Sequence, residues 1–309
     1  MNYIVKKNRF NQDRFFCNDL PNIPKLDNEK FETQLLIDIH QKNLKYGGMR
    51  YQNYFKKSYD QYPLISVIVP NLNGTNLRTT LDSILMQKYP NIEIIVIDGG
   101  SEDNNINFLF SEYQNDIDIF ISQKDNGIYD GWNKGLKLCL GKYVGIINSN
   151  DFFYENAFNY LIKYINKFHN YDFILGAVEK EKVYAGFRPN DINLKFNIYP
   201  STVIGFFIKL NSQKKVGLYN LKYKCSSDYD MFYRIIKHNK MSGIPTSGYE
   251  VFGKFELGGF SSKIGFFEHL KEELVIRYDN KQNVLILFYI FFGRCASKAF
   301  KLIKKFLFF

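Results

Sequence analysis

Leu64-Ile65-Ser66-Val67-Ile68-Val69-Pro70-Asn71-Leu72-Asn73-Gly74 passes abruptly from near-continuous hydrophobicity into a polar, glycine-terminated turn. An apolar run without alternation marks a strand covered on both faces, because a strand with one wet side alternates. A helical stretch over residues 76–87 follows and stops before Pro90. The unit then repeats: strands at 92–98, 117–122, 142–147 and 171–176, with helices at 103–113, 130–140 (closed by Gly141) and 154–168. Strands and helices alternating at this spacing predict an α/β fold with a mostly parallel central sheet and helices on both faces.

In such sheets the ligand crevice lies beyond the carboxyl ends of the strands. There the first strand ends in Pro70-Asn71-Leu72-Asn73-Gly74, the second in Asp98-Gly99-Gly100-Ser101-Glu102-Asp103, the third in Asp125-Asn126-Gly127-Ile128-Tyr129-Asp130, and the fourth in Asn148-Ser149-Asn150-Asp151. Any one of these is ordinary turn and cap chemistry. Four at one end of a sheet predict a binding site. Asp98 closes an apolar strand and suits ribose hydroxyls or a base, Asp151 suits a hard divalent cation with oxygen ligands, and the glycines allow close backbone approach.

Taken with Gly131-Trp132-Asn133-Lys134-Gly135 and Gly141-Lys142-Tyr143-Val144-Gly145-Ile146-Ile147, these segments resemble glycosyltransferase family 2 in order and spacing, over about residues 63–260, and are most similar to bacterial members that build O-antigen and capsular polysaccharide. The resemblance implies a GT-A fold, a nucleotide-sugar donor (a UDP-sugar), a divalent metal (Mg or Mn) and inversion at the anomeric carbon. Carried over by position, Pro70 and Asn73 border the base, and Asp98, Gly100 and Ser101 meet the uridine. Asp125, Gly127, Asp130, Asn133 and Lys134 form a third nucleotide-contacting segment, and Asn150 and Asp151 occupy the metal-binding motif. The commoner pattern has two consecutive acids where this chain has Asn150-Asp151. An Asn carbonyl still ligates a cation, but one formal charge is lost and metal affinity should fall.

Displacing a nucleoside diphosphate by an acceptor hydroxyl requires a base. Ser226-Ser227-Asp228-Tyr229-Asp230, followed by the apolar-periodic stretch 231–238, resembles the family's catalytic-base motif. Asp228 stands in the position of the base, with Asp230 as its substitute or as the group that orients it. The structural alternative is a plain N-cap with an acid favoured by the helix dipole. Phe255-Glu256-Leu257-Gly258-Gly259-Phe260-Ser261 resembles the glycine-containing segment that follows the base, with a simple turn as the competing reading. Two other classes compete. A sugar nucleotidyltransferase would carry a Gly-rich phosphate loop with Arg or Lys after its first strand, which residues 71–76 lack. A non-catalytic nucleotide-sugar-binding or scaffolding protein is made thinkable by Asn150, but retention of Asp228 and Asp151 argues against it.

Composition sets the outer bounds. Of 309 residues, 45% are hydrophobic and 17% aromatic, enough to exclude a disordered chain. The net charge of +10 is carried by the ends: +4 over residues 1–60, zero over 61–280 and +6 over 281–309. A neutral body is unlike a phosphate-tracking face, so nucleic acid is not an expected partner. Cys17, Cys139, Cys225 and Cys295 lie far apart and read as free thiols, not a zinc site. The first sixteen residues lack a signal-peptide core, so secretion is not expected.

Three regions are expected: an N-terminal extension (1–62) with one amphipathic helix near 31–44; a GT-A domain (63–280), divided into a nucleotide-sugar half (63–151) and an acceptor half (152–280); and a tail (281–309). In the tail an apolar run, 284–292, is ended by Gly293-Arg294, short of the roughly 20 residues that span a bilayer. Beyond it Lys298, Lys301, Lys304 and Lys305 fall on one side of a helix, opposite most of the apolar residues. This predicts an interfacial helix on an anionic membrane surface, in a cytoplasmic protein peripheral to the inner face of the cytoplasmic membrane, with a packed C-terminal helix as the alternative. A saccharide acceptor carried on polyprenyl diphosphate would suit that location.

Overall fold

The computed structural model describes residues 3–40, 42–196, 198–256, 258 and 264–307; most of the glycine-containing segment at 255–261 lies outside the described residues. Its elements are β1 (Ile4–Lys7), β2 (Asp13–Phe16), β3 (Lys45–Gly47), β4 (Ile65–Asn71), α1 (Leu77–Leu85), β5 (Ile92–Asp98), α2 (Asp103–Phe108), β6 (Ile119–Ser122), α3 (Ile128–Leu138), β7 (Tyr143–Ile146), β8 (Phe152–Phe153), α4 (Ala157–Lys167), β9 (Phe173–Leu175), β10 (Ala177–Glu179), β11 (Val183–Tyr184), β12 (Phe206–Lys209), α5 (Leu210–Val216), α6 (Ser227–Tyr233), β13 (Gly243–Pro245), β14 (Val251–Lys254), α7 (Phe266–Asp279) and α8 (Val284–Leu307).

The central sheet has the order β13-β9-β12-β7-β4-β5-β6-β3. Its middle, β7-β4-β5-β6, is parallel, as the continuous apolar runs require. Every residue of β4 and β5 is buried. β12 is antiparallel to both β7 and β9, and β3 is antiparallel to β6, so the parallel core is flanked by antiparallel pairs. A smaller sheet, β11-β10-β14-β8, lies beside it. Helix α3 packs hard against β4: a Cβ on Gly135 would sit 2.5 Å from Ile68 Cγ2, so any larger residue there would force the helix off the sheet.

The chain before Leu64 supplies structure of its own. β1 and β2 form an antiparallel hairpin, β3 is the edge strand, and Phe15, Phe16, Phe31, Met49 and Phe55 are buried. Two ion pairs tie this region into the sheet with essentially no exposure. Lys56 Nζ lies 2.8 Å from Asp118 Oδ2, and Arg50 pairs with Glu93, which also accepts from the Ser66 hydroxyl.

One expectation fails. The described residues of 31–44 form no helix; over 31–40 the buried or half-buried positions (31, 33, 35, 37) alternate with exposed ones. That stretch is extended, held by the Gln34 amide on the Lys137 carbonyl (2.6 Å) and Arg50 on the Leu35 carbonyl (3.1 Å). These tertiary hydrogen bonds override a weak helical pattern. In the tail, the Gly293-Arg294 pair that ends the apolar run lies within α8, one 24-residue helix. Its Ile290 is buried, Arg294 reaches Glu273 of α7 at 3.2 Å, and Lys298 lies 5.5 Å from the Phe266 ring centroid. These contacts hold part of α8 against α7. Val284, Leu285, Phe288, Tyr289, Phe292 and Ile303 are exposed on another side. No helix of the described residues is long and apolar enough to cross a membrane.

The Lys56–Asp118 pair sets a prediction. Removing one partner leaves an uncompensated buried charge, at a cost of about 3–5 kcal/mol. Lys56→Met should lower the unfolding free energy by about that amount in a urea titration; an unchanged midpoint would show that the N-terminal region is dispensable to the sheet.

Candidate active site

The parallel register aligns Asn71, Asp98 and Ser122 side by side at the carboxyl ends of β4, β5 and β6. Asp98 is fully buried. Its Oδ1 accepts from Asn71 Nδ2 (2.7 Å) and the Ser101 hydroxyl (2.5 Å), and its Oδ2 from the Ser122 hydroxyl (2.7 Å) and the Gly100 and Ser101 amides (3.1 and 2.8 Å). A carboxylate has about four lone-pair positions, so five donors saturate it. Gly100 makes this possible by adopting φ +91°. The Asn73 amide donates to the Ser101 hydroxyl at 2.7 Å, and the Glu102 amide to Asn73 Oδ1 at 3.1 Å. The first two site loops are thereby joined, with Pro70 inside β4 just before Asn71.

The third segment enters α3 through Gly127 at φ +107°. Asp125 Oδ1 accepts the Gly127 amide (3.0 Å), and burial raises the Asp125 carboxyl above its ordinary range. Asp130 Oδ2 accepts the Asn126 amide (3.0 Å) and lies 3.4 Å from Lys134 Nζ. Asn133 differs from the expected nucleotide contact: its amide brackets the backbone of Tyr219, at 2.8 Å to both N–H and carbonyl. That fixes Tyr219 against Tyr129 and Trp132, at 5.8 and 4.9 Å between ring centroids.

The fourth loop turns at 148–151. Asn150 is exposed and Asp151 buried. The Asp151 backbone carbonyl accepts from the Thr80 hydroxyl (2.7 Å) and its Oδ1 from the Glu256 amide (2.9 Å). Asp151 Oδ2 and Asn148 Oδ1 are buried without a hydrogen-bond partner. Burial pushes the Asp151 carboxyl up to about 7, with the Glu256 amide and Asn148 pulling the other way. Two orphaned oxygens with one carboxylate fit a hard cation that takes its remaining ligands from substrate phosphates and water. Among the described residues no three His, Cys, Asp or Glu could hold a metal by themselves.

Asp228 opens α6 within this neighbourhood. Its Oδ1 accepts from the Tyr129 hydroxyl (3.3 Å) and the Tyr229 amide (2.9 Å), and its Oδ2 from the Thr202 hydroxyl (3.0 Å). Burial raises its pKa, the Thr202 and Tyr129 hydroxyls and the Tyr229 amide opposing. Thr202 belongs to a segment pinned to the end of β7 by the Ile204 amide on the Ile146 carbonyl (2.8 Å). Ile204 sits at φ +64°, a strained conformation for a β-branched residue. Asp230 is engaged elsewhere: Arg234 Nε at 2.9 Å and Asn280 Nδ2 at 3.0 Å take its two oxygens. It therefore does not orient Asp228 through a direct bond. Sequence reasoning missed Ser122, Thr202 and Asn148 as site residues. Ser122 was detectable as the residue aligned with Asp98, whereas Thr202 has no local signal.

Residues 66–226, just over half the chain, match the family model of Glycosyl transferase family 2, and the chain belongs to that family. An uncharacterised glycosyltransferase of Rickettsia typhi is 31% identical over 192 residues, covering 57% of this chain. The chain spans 59% of that relative's length. A PGL/p-HBAD biosynthesis glycosyltransferase of Mycobacterium bovis is 26% identical over 221 residues, covering 68% of this chain and 83% of the relative. Two solved structures share the fold. S. aureus TarS 1-349 in complex with UDP-GlcNAc has a TM-score of 0.57 at 16% identity, covering 76% of this chain and 73% of that one. The mannosyltransferase PcManGT of Pyrobaculum calidifontis, in complex with GDP-Man and Mn2+, has 0.54 at 15%, covering 74% and 66%. The architecture is GT-A: a large central sheet with helices on its faces.

Asp98→Asn turns one acceptor oxygen into a donor facing other donors, which should cost about 1–3 kcal/mol. Amide exchange at 71–74 and 99–102 should accelerate together, as followed by mass spectrometry; protection retained in both loops would mean that Asp98 does not couple them.

Proposed function

We propose that this chain is an inverting glycosyltransferase that moves a sugar from a nucleoside-diphosphate donor, a UDP-sugar, to a hydroxyl of a saccharide acceptor. The observation that carries the reading is the pairing of two buried carboxylates with different surroundings: Asp151, with an unpartnered oxygen beneath the β7 turn, and Asp228, held by Tyr129 and Thr202 at the end of that strand. Such a pair divides labour. Asp228 accepts the acceptor's proton as the new bond forms, while the electron pair of the breaking bond leaves with the diphosphate.

Asp151 and the 148–150 turn would hold a divalent cation, whose chemistry is Lewis-acid stabilisation of charge on the diphosphate. Asn150 in place of an acid weakens that hold. The base and ribose lie along Pro70, Asn73, Asp98, Gly100 and Ser101, with Asp125, Gly127, Asp130 and Lys134 bordering them. A base edge meeting Asp98 exchanges with one of its hydroxyl donors, because that carboxylate is already saturated. Asn133 contributes through Tyr219, and Asp230 by anchoring α6. Surface-polysaccharide assembly (O-antigen or capsule) on a polyprenyl-linked acceptor is the pathway we favour. It is supported by the outward apolar side of α8 together with its five basic and no acidic residues, which suit peripheral attachment to the inner face of the cytoplasmic membrane.

Purified protein supplied with Mn2+ should slowly hydrolyse one nucleotide-sugar from a panel of UDP- and GDP-sugars. Asp228→Asn should lower transfer by about 10²–10⁴-fold while UDP or GDP binding is nearly unchanged; transfer at the parental rate would remove Asp228 as the base. The sign of the pH dependence follows from the raised pKa. Asp228 works only when ionised, so kcat/KM should fall as pH drops through a value above the ordinary carboxylate range. An acid limb at or below the ordinary value would contradict that role. For the tail, Leu285→Ser combined with Phe288→Ser and Phe292→Ser should abolish co-flotation with anionic vesicles, and undiminished flotation would assign α8 to packing alone.

A further inference from the structure

The smaller sheet has a consequence at its open end. β8 begins immediately after Asp151, β14 pairs with it antiparallel (Lys254 opposite Phe152), and β10 pairs with β14 in parallel (Glu179 opposite Lys254). One residue further, the register brings Asp151, the Phe255-Glu256 corner and Lys180 into a row. The Glu256 amide is already on Asp151 Oδ1 at 2.9 Å, and the Phe255 amide on the Glu179 carbonyl at 2.8 Å. Lys180 is thus two strand spacings from Asp151, about 10 Å along the backbone row, and a lysine side chain reaches well into that gap.

The Lys180 ammonium lies over two rings, 5.1 Å from the Phe255 centroid and 5.4 Å from that of Tyr184. These fix the stem without neutralising the charge. The side chain is half-buried and makes no ion pair among the described residues. Burial lowers its pKa, and the two carboxylates whose charges oppose that shift are Asp228 and Asp151. A half-buried cation on the row that begins at Asp151, held over two rings and paired with no carboxylate among the described residues, is arranged for an anion brought by substrate.

We propose that Lys180 binds the donor's diphosphate, contacting it between Asp151 and Asp228. This rests on the donor-site reading above. In the transfer the sugar–oxygen bond to the diphosphate breaks as the acceptor oxygen bonds to the same carbon, and the acceptor's proton goes to Asp228. Lys180 keeps its own proton throughout and donates hydrogen bonds to the departing phosphate oxygens.

Calorimetric titration of the full chain with UDP, GDP, uridine and guanosine, each with Mn2+, tests this. Whichever diphosphate binds the parent should bind Lys180→Met about 10- to 100-fold more weakly, with much of the loss recovered in Lys180→Arg and with nucleoside affinity unchanged. Circular dichroism melts establish that each variant is folded, and Lys180→Gln replaces the methionine variant if that one is not. Diphosphate affinity equal to the parent's in a folded, uncharged variant overturns the role of Lys180 alone. Failure of the parent to bind either diphosphate overturns the donor-site reading and this inference with it.

Discussion

One saturated carboxylate sets the shape of the loops at the carboxyl edge of the main sheet. Asp98 lies at the end of a strand buried on both faces, and a charge there is tolerated only when hydrogen bonds replace its lost hydration. The strands on either side provide two of those bonds, from Asn71 and Ser122, and the turn leaving β5 provides the rest. Three consecutive loops at the carboxyl edge are therefore not independent: the residue that costs most to bury is the one that holds them in common.

The region around Asp151 and Asp228 depends on a different device. The main sheet ends its parallel run at β7, and the chain beyond the turn at 148–151 begins a second sheet. Asp151 consequently sits at the seam, its backbone carbonyl bonded to Thr80 of α1 and its side chain to the amide of Glu256 after β14. Asp228 reaches the same seam by another route, through Thr202 on a segment pinned to Ile146. The strained backbone at Ile204 is part of that second route.

The parallel core was legible because buried strands advertise themselves. The apolar runs at 64–70, 92–98 and 142–147 correspond to β4, β5 and β7 within one residue at either end, and the loops after them do gather at one edge. What escaped was non-local. Nothing near Phe206 announces that β12 inserts antiparallel between β9 and β7. The apolar spacing at 31–44 fits a helix by period, yet hydrogen bonds to Lys137 and Arg50 draw its first ten residues out straight. Lys180 and Thr202 lie in a stretch without pattern, and their meaning comes only from the strands and carboxylates that far-off sequence brings beside them. Asn133 shows the converse: a motif position whose polar atoms are committed to its own scaffold.

The seam at Asp151 also orders events during synthesis. Residues 65–146 can close the parallel core as soon as they emerge, since β5 pairs with β4, β6 with β5 and β7 back with β4, all within that span. The amide that meets Asp151 arrives more than a hundred residues later, after the bend that carries Lys180 and the helix that carries Asp228. A ribosome-bound chain stopped before Val251 would hold the parallel core with its acidic turn uncapped, so the two sheets are joined at Asp151 only after the helix bearing Asp228 has been made.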